Sequence, residues 1–366
     1  MSCLRTLAQV LNCVKERIMR TIKIAMLGFG NAGRAFAKLI LDKQEEIRRS
    51  YDCAVVTTAI ATRSRGTLVN SEGIDLGKAL ADAETDGRFD PQGIDYSGMT
   101  AMEVAAAAEY DVLFELTPLE IFTGQPAIDH IRTALGRGKH AVTANKGPIA
   151  WAYEELRDLA EKQEVCFFYE TTVMDGTPVF NLVDETLRLC RITGVSGILN
   201  STTNFILEEL AAGKEYDEVI REGKERGFVE ADPSLDVEGW DAAAKTAALL
   251  NVLMRAGITP NAIDRKGIED ITVEQIRDAA ARGKVIKLLC SGTIVNGIVI
   301  GKVAPTEIDR TDLLATIEGT SSVVSITTDL MGTISVVEHD PEIEQTGYGV
   351  FGDLIRVIAA TSCQGC

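Results

Sequence analysis

The stretch IKIAMLGFGNAGRAFAKLI, residues 22–40, sets an apolar run, three glycines and an amphipathic pattern in direct succession. Gly28, Gly30 and Gly33 form G-x-G-x-x-G. The first glycine permits a tight turn, the second lets the backbone approach a pyrophosphate, and the third lets the helix pack close to the strand. The helix that follows, opening at Asn31 and Ala32, offers free N–H groups to an anion. A chain built this way is committed to a strand–turn–helix unit, and the pattern continues. CAVVTTAIATRSRG supplies a second strand, YDVLFELTP a strand ending at Thr117-Pro118, QPAIDHIRTALGRG a helix, and KHAVTANKGP a strand ending at Asn145-Lys146. Strands alternating with helices imply a parallel sheet with right-handed crossovers. The expected fold class is α/β, a Rossmann-type doubly wound sheet.

Ligands of such sheets lie at the carboxyl ends of the strands. That rule puts Thr117, Pro118, Asn145 and Lys146 on the same rim as the glycine turn. An NAD-preferring site usually carries Asp or Glu at the end of the second strand, to hold the ribose diol. Here that position offers Arg63, Ser64 and Arg65, which suit the 2′-phosphate of NADP; NAD remains possible. Residues 66–100 read as a loop-like insertion with a short helix near GKALAD.

The remainder of the 366 residues is long enough for a second domain. A net charge of −17 argues against a nucleic-acid partner and against anionic membranes. There is no apolar run of about 18 residues to span a bilayer. Eight scattered cysteines, with only Cys363 and Cys366 closely spaced, fit reduced thiols and a cytoplasmic location better than a zinc site. Residues 1–18 do not read as a signal peptide and are taken as an N-terminal extension. The expected domains are 19–150 for the cofactor, 151–340 as an α+β catalytic and dimerisation unit, and 341–366 as a C-terminal helix packed back on the cofactor domain.

In the second half, GPIAWAYEELRDLAEKQE reads as a helix leading out of the cofactor fold. VCFFYETTVMDGTPVFNLVDETLRL and ITGVSGILNSTTNFILEELAAG each read as strand, polar turn and helix, and residues 284–340 as β-rich. Between them stands EADPSLDVEGWDAAAKTAALLNVLM. Asp241 and Lys245 are four apart and share one helix face. An exposed ion pair of this kind contributes little. From Ala242 to Met254, however, the only polar side chains are Lys245, Thr246 and Asn251. So apolar a helix is buried on most sides, and a charge within it must be paired or face a cleft. A lysine held by a carboxylate can protonate or stabilise a developing alkoxide. Asp241 would orient that amine, while Glu230 and Asp236 can hold an ammonium group. Beside a nicotinamide, the chemistry is hydride transfer to or from a small amino-bearing carbonyl compound.

GFGNAGRAFAKLI, TANKGP, NSTTNFIL and EADPSLDVEGWDAAAK, in that order, resemble the motifs of the homoserine dehydrogenase family. The resemblance implies reversible NAD(P)H-dependent reduction of L-aspartate 4-semialdehyde to L-homoserine, on the route to threonine and methionine. It implies Lys245 as the catalytic lysine with Asp241 beside it and Lys146 at the nicotinamide side. Glu230, Asp236, Thr202 and the adjacent Ser201 would meet the amino-acid substrate. It also implies a cofactor contact at Gly347, a homodimer, and a monovalent-cation loop at Glu170, Val173, Asp175 and Thr177, such as for Na+, mostly through carbonyl oxygens. Two departures stand out: Ser201 where members commonly have glycine, and VMDG (173–176) where they have a glycine run. The ACT regulatory domain of longer members is not expected, nor threonine feedback through one. Two other readings stay open: a related amino-acid or oxo-acid dehydrogenase with a shifted substrate, and a non-catalytic NADP-binding sensor.

Overall fold

A computed structural model describes residues 19–225, 229 and 232–362. The expectations for residues 1–18, for Glu230 and for Cys363 and Cys366 therefore lie outside the described residues.

The apolar run at the start becomes strand β1 (Arg20–Leu27), with Ile24, Met26 and Leu27 fully buried. Strands buried on both faces are continuous apolar runs of this kind. Around it form β2 (Cys53–Ala61), β3 (Thr67–Val69), β4 (Tyr96–Ser97), β5 (Val112–Glu115), β6 (His140–Thr143) and β7 (Phe167–Phe168). The sheet order is β4-β3-β2-β1-β5-β6-β7. Strands β2, β1, β5, β6 and β7 are parallel, as the alternating pattern predicts.

Two details differ from the sequence reading. The 66–100 segment is more than a loop with a helix: β3 and β4 extend the sheet edge antiparallel, around the helix Leu76–Thr85. Three- and two-residue strands are too short to show an alternation of their own. The FF pair of β7 was expected in the second unit, but it pairs with β6. The helix Lys146–Lys162 is thus a crossover of the first sheet rather than a way out of it.

The second sheet has the order β13-β12-β8-β10-β11-β9, from β8 (Ile192–Ile198), β9 (Asp264–Arg265), β10 (Lys284–Val295), β11 (Ile298–Asp309), β12 (Ser322–Thr328) and β13 (Thr333–Glu338). The apolar helix Trp240–Met254 packs on it, on β11 above all, and also against the Lys146–Lys162 helix. Its seat is a glycine pair: Gly292 and Gly301 face each other across β10 and β11. A Cβ on either would lie within 3 Å of the Leu250 side chain. The final helix, Ile343–Ser362, returns to the first sheet. Its Val350, Leu354, Val357 and Ile358 share a core with Ile24, Met26 and Phe36.

Candidate active site

The glycine turn has the geometry its spacing predicts. Gly28 has a φ of 102°, and its N–H donates to the Ala61 carbonyl at 2.8 Å. A Cβ there would stand 2.2 Å from the Leu116 oxygen, and one on Gly33 would stand 2.9 Å from the Gly28 oxygen. A Cβ on Gly30 would meet nothing within 4 Å, which is the open approach a pyrophosphate needs. The helix Asn31–Tyr51 begins without a side-chain cap, so its first-turn N–H groups face that space. At the end of β2, Arg63 and Ser64 are exposed, and the buried Nε of Arg65 has no hydrogen-bond partner among the described residues. The Thr62 hydroxyl shapes this loop, accepting from Arg65 N–H at 2.8 Å and donating to the Gly66 oxygen at 2.9 Å. These features fit a dinucleotide.

The rim residues gather as expected. The Asn145 amide donates to the Thr117 oxygen at 3.1 Å and the Pro118 oxygen at 3.4 Å. Its Oδ1 accepts from Gly147 N–H at 2.9 Å, capping the helix that opens with Lys146. The Thr117 hydroxyl donates to the buried Glu115 carboxylate.

Asp241 joins the two halves. Lys146 Nζ, from the first sheet's crossover helix, donates to Asp241 Oδ1 at 2.6 Å. Lys245 Nζ lies 3.3 Å from Asp241 Oδ2 and donates to the Leu199 oxygen at 2.7 Å. All three side chains keep only 14–19% of their surface exposed. Burial pushes the Asp241 carboxyl up, but Lys146 and Lys245 outweigh it and hold the group well below the usual carboxylate range. Burial likewise disfavours the Lys245 ammonium, yet Asp241, Asp175 and Asp236 keep its pKa above the ordinary lysine value. Asp236 moves the other way, raised by burial and by repulsion from Asp241.

Asn200 is a residue the sequence reading missed. Its Nδ2 donates to Asp236 Oδ1 at 2.6 Å and to Asp241 Oδ2 at 3.0 Å, while its Oδ1 accepts from Thr203 N–H at 2.8 Å. It caps the helix Ser201–Ala211 and spaces two carboxylates at once. The available signal was an asparagine just ahead of a helical run. Ser201 opens that helix, half-buried, and Thr202 is buried with its hydroxyl bonded to Asp236.

The 170–177 loop is less open than a cation site would suggest. The Glu170 carboxylate is committed to the N–H groups of Val179, Phe180 and Asn181, at 2.6–2.8 Å. Asp175 accepts from the Thr346 hydroxyl, and Thr177 donates to Glu338, each at 2.8 Å. Among the described residues no cluster of three or more His, Cys, Asp or Glu is set to hold a metal. The loop's carbonyl oxygens, Val173's among them, remain for such an ion, beside the Thr171 hydroxyl, which is unpartnered among the described residues. Gly347 is a packing glycine in this fold: a Cβ would lie 2.6 Å from the Ala35 Cβ on the glycine-turn helix. Glu338, at the end of β13, also went unseen in the sequence. It is 7% exposed and lies close enough to Lys245 to interact electrostatically.

Two family models match the chain. The homoserine dehydrogenase NAD-binding domain matches residues 28–170, and the homoserine dehydrogenase domain matches residues 178–355. A homoserine dehydrogenase of Methanocaldococcus jannaschii is 35% identical over 339 residues, spanning 92% of this chain and 99% of the relative. An NAD(+)-dependent homoserine dehydrogenase of Pseudomonas canavaninivorans is 32% identical, spanning 93% and 97%. Among solved structures, a hyperthermophilic archaeal homoserine dehydrogenase in complex with NADPH superposes with a TM-score of 0.79 at 28% identity, covering 93% of this chain and 98% of that one. A homoserine dehydrogenase of Thiobacillus denitrificans gives 0.80 at 28% identity, covering 94% and 75%.

Proposed function

Because this chain belongs to the homoserine dehydrogenase family of NAD(P)-dependent oxidoreductases, we propose that its cleft interconverts L-aspartate 4-semialdehyde and L-homoserine, with Lys245 moving the proton. The observation that carries the assignment of roles is the Lys146–Asp241–Lys245 bridge, which sets two ammonium groups where the carboxyl ends of the first sheet meet the apolar helix.

The nicotinamide, when bound, supplies the hydride in reduction and accepts it in oxidation. Lys245 faces the carbonyl oxygen and donates a proton as negative charge develops there. Asp241 keeps that amine charged and directed, and Lys146 holds the other oxygen of Asp241 toward the cofactor side. Asp236, with Glu230, receives the substrate's ammonium. Thr202 steadies Asp236, and Ser201 borders the substrate's carboxylate. Gly28, Gly30, Asn31, Ala32 and Gly33 take the pyrophosphate; Thr117, Pro118 and Asn145 line the nicotinamide side. Arg63, Ser64 and Arg65 favour NADP over NAD, since the strand end carries no acid for the ribose diol.

Lys245 speaks against one rival reading: a sensor that only binds NADP has no use for a buried ammonium at the cleft. Homoserine-dependent reduction of NADP and NAD at alkaline pH, repeated with Lys245→Ala, decides. Turnover on other amino alcohols but not on homoserine would favour a shifted substrate. No turnover on any would favour the sensor.

Three finer points belong to the same proposal. The 170–177 loop would hold a monovalent cation through backbone carbonyls, since hard cations take oxygen ligands; replacing sodium by choline chloride should then lower activity. The second sheet would form the interface of a homodimer, an assignment supported by the exposed Ile298 on β11 (67%) and by Leu330 (71%) and Met331 (60%) in the β12–β13 turn. Cytoplasmic biosynthesis of threonine and methionine agrees with the free thiols of Cys53, Cys166, Cys190 and Cys290. No described helix is long and apolar enough to cross a membrane.

A further inference from the structure

Glu338 presents a problem that the roles above leave unsolved. Its Oε1 accepts from the Thr177 hydroxyl at 2.8 Å, but its Oε2 is buried with no hydrogen-bond partner among the described residues. A buried carboxylate oxygen without a donor is costly, and native folds seldom carry one without a use for it. Asp175 lies near enough to repel the Glu338 carboxylate, while the Thr177 hydroxyl and, from farther off, Lys245 offset that repulsion.

The position of Glu338 narrows what could satisfy it. It ends β13 five residues before the helix Ile343–Ser362. That helix touches the glycine-turn helix through Gly347 and Ala35, and touches the 170–177 loop through Gly349 and Gly176. The Glu338 carboxyl is thus walled by the loop that ends at Thr177, lies within electrostatic reach of the proton-moving lysine, and precedes the helix that backs the pyrophosphate turn. Between a pyrophosphate and the hydride-transfer site lies the nicotinamide ribose. On the reading above, the substrate's ammonium goes to Asp236.

Resting on the functional reading above, we propose that Glu338 is a cofactor-positioning residue whose free Oε2 accepts a hydrogen bond from a nicotinamide-ribose hydroxyl. A ligand hydroxyl donating to Oε2 would supply the bond that this buried oxygen lacks.

The test is a binding measurement. NADPH or NADH, whichever wild type binds more tightly, is titrated by nicotinamide fluorescence against wild type, Glu338→Gln and Glu338→Ala. The adenosine fragment that lacks the nicotinamide ribose, adenosine 2′,5′-bisphosphate or ADP, is titrated in parallel. Losing a hydrogen bond to a charged acceptor should weaken dinucleotide binding about tenfold or more in Glu338→Ala. Glu338→Gln, which keeps a neutral acceptor, should lose less, and fragment binding should stay within twofold in both. If Glu338→Ala does not fold, the glutamine variant carries the test, with a few-fold weakening of the dinucleotide alone expected. Unchanged dinucleotide binding would overturn the proposal, as would equal weakening of dinucleotide and fragment. So would a raised KM for homoserine with dinucleotide binding intact, which would turn the oxygen toward the substrate. Wild type that binds the dinucleotide but never oxidises homoserine would instead sink the functional reading on which this one stands.

Discussion

Asp241 holds Lys146 through one oxygen and Lys245 and Asn200 through the other, and its removal tests the site most directly. On the proposed mechanism, homoserine oxidation needs Lys245 unprotonated so that it can take the hydroxyl proton, and Asp241 is the foremost group holding its pKa up. Asp241→Asn should therefore lower that pKa and shift the acidic limb of the kcat/KM profile for oxidation to lower pH. A pH–rate series on both proteins checks the direction; an unmoved limb would assign the titration elsewhere. Lys245→Ala should cost about 10²–10⁴ in kcat and lower the thermal midpoint as well, because Asp241 and the Leu199 oxygen lose a buried partner. The lysine and its acid were legible four residues apart on an apolar helix. Asn200 and Glu338 were not. An asparagine ahead of a helix reads as a cap, and a glutamate ending a strand reads as solvated, until the chain brings their partners near.

Among the elements, the parallel strands and their helices follow the sequence closely, because continuous apolar runs bounded by turn residues alternate with amphipathic helical stretches. Shorter pieces escape that logic. β3, β4 and β7 are two or three residues long and take their place from neighbours they pair with. The β10–β11 hairpin was available in principle: its turn is Asn296-Gly297, with φ of 52° and 81°, the left-handed pair that two-residue hairpins favour. Gly347, a cofactor contact by resemblance, also has a packing reason to be glycine. With its Cβ position 2.6 Å from Ala35, Gly347→Val should force the final helix off the glycine-turn helix. Overpacking of this kind costs about 1–3 kcal/mol, to be read from a denaturant midpoint, and cofactor affinity should fall with it. Unaltered stability would mean that the two helices part freely.

For the molecule as a whole, pH should act through carboxyls buried where the halves meet. Asp353 on the final helix is fully buried and accepts from Glu170 N–H at 3.0 Å. Burial, with the negative charge of Glu170, pushes it up to about 7 from an ordinary 3.8. The fold thus favours its neutral form. That contribution is complete below about pH 4 and is lost as pH rises through about 7. Asp353→Asn keeps an acceptor for Glu170 and should flatten the decline of the ligand-free melting temperature between those limits. A pH–melting series that runs parallel in wild type and variant would contradict it. Glu338 carries the same sign, so some slope should persist in Asp353→Asn. Association is a separate test: light scattering should give twice the chain mass if the second sheet is an interface.

The sequence alone determined the dinucleotide turn, the parallel sheet and the lysine–aspartate pair, because each is written in residues close enough to share one turn or one helix face. Local sterics and apolar periodicity decide such features before any long-range contact forms. Tertiary structure alone decided that Lys146 meets Asp241 across 95 positions, that Asn200 parts two carboxylates, and that Glu338 is shut away with one oxygen unpaired. Those depend on how the apolar helix beds against Gly292 and Gly301 and on where the last helix returns. Burial sets the charge of each such group, and burial belongs to the packed whole.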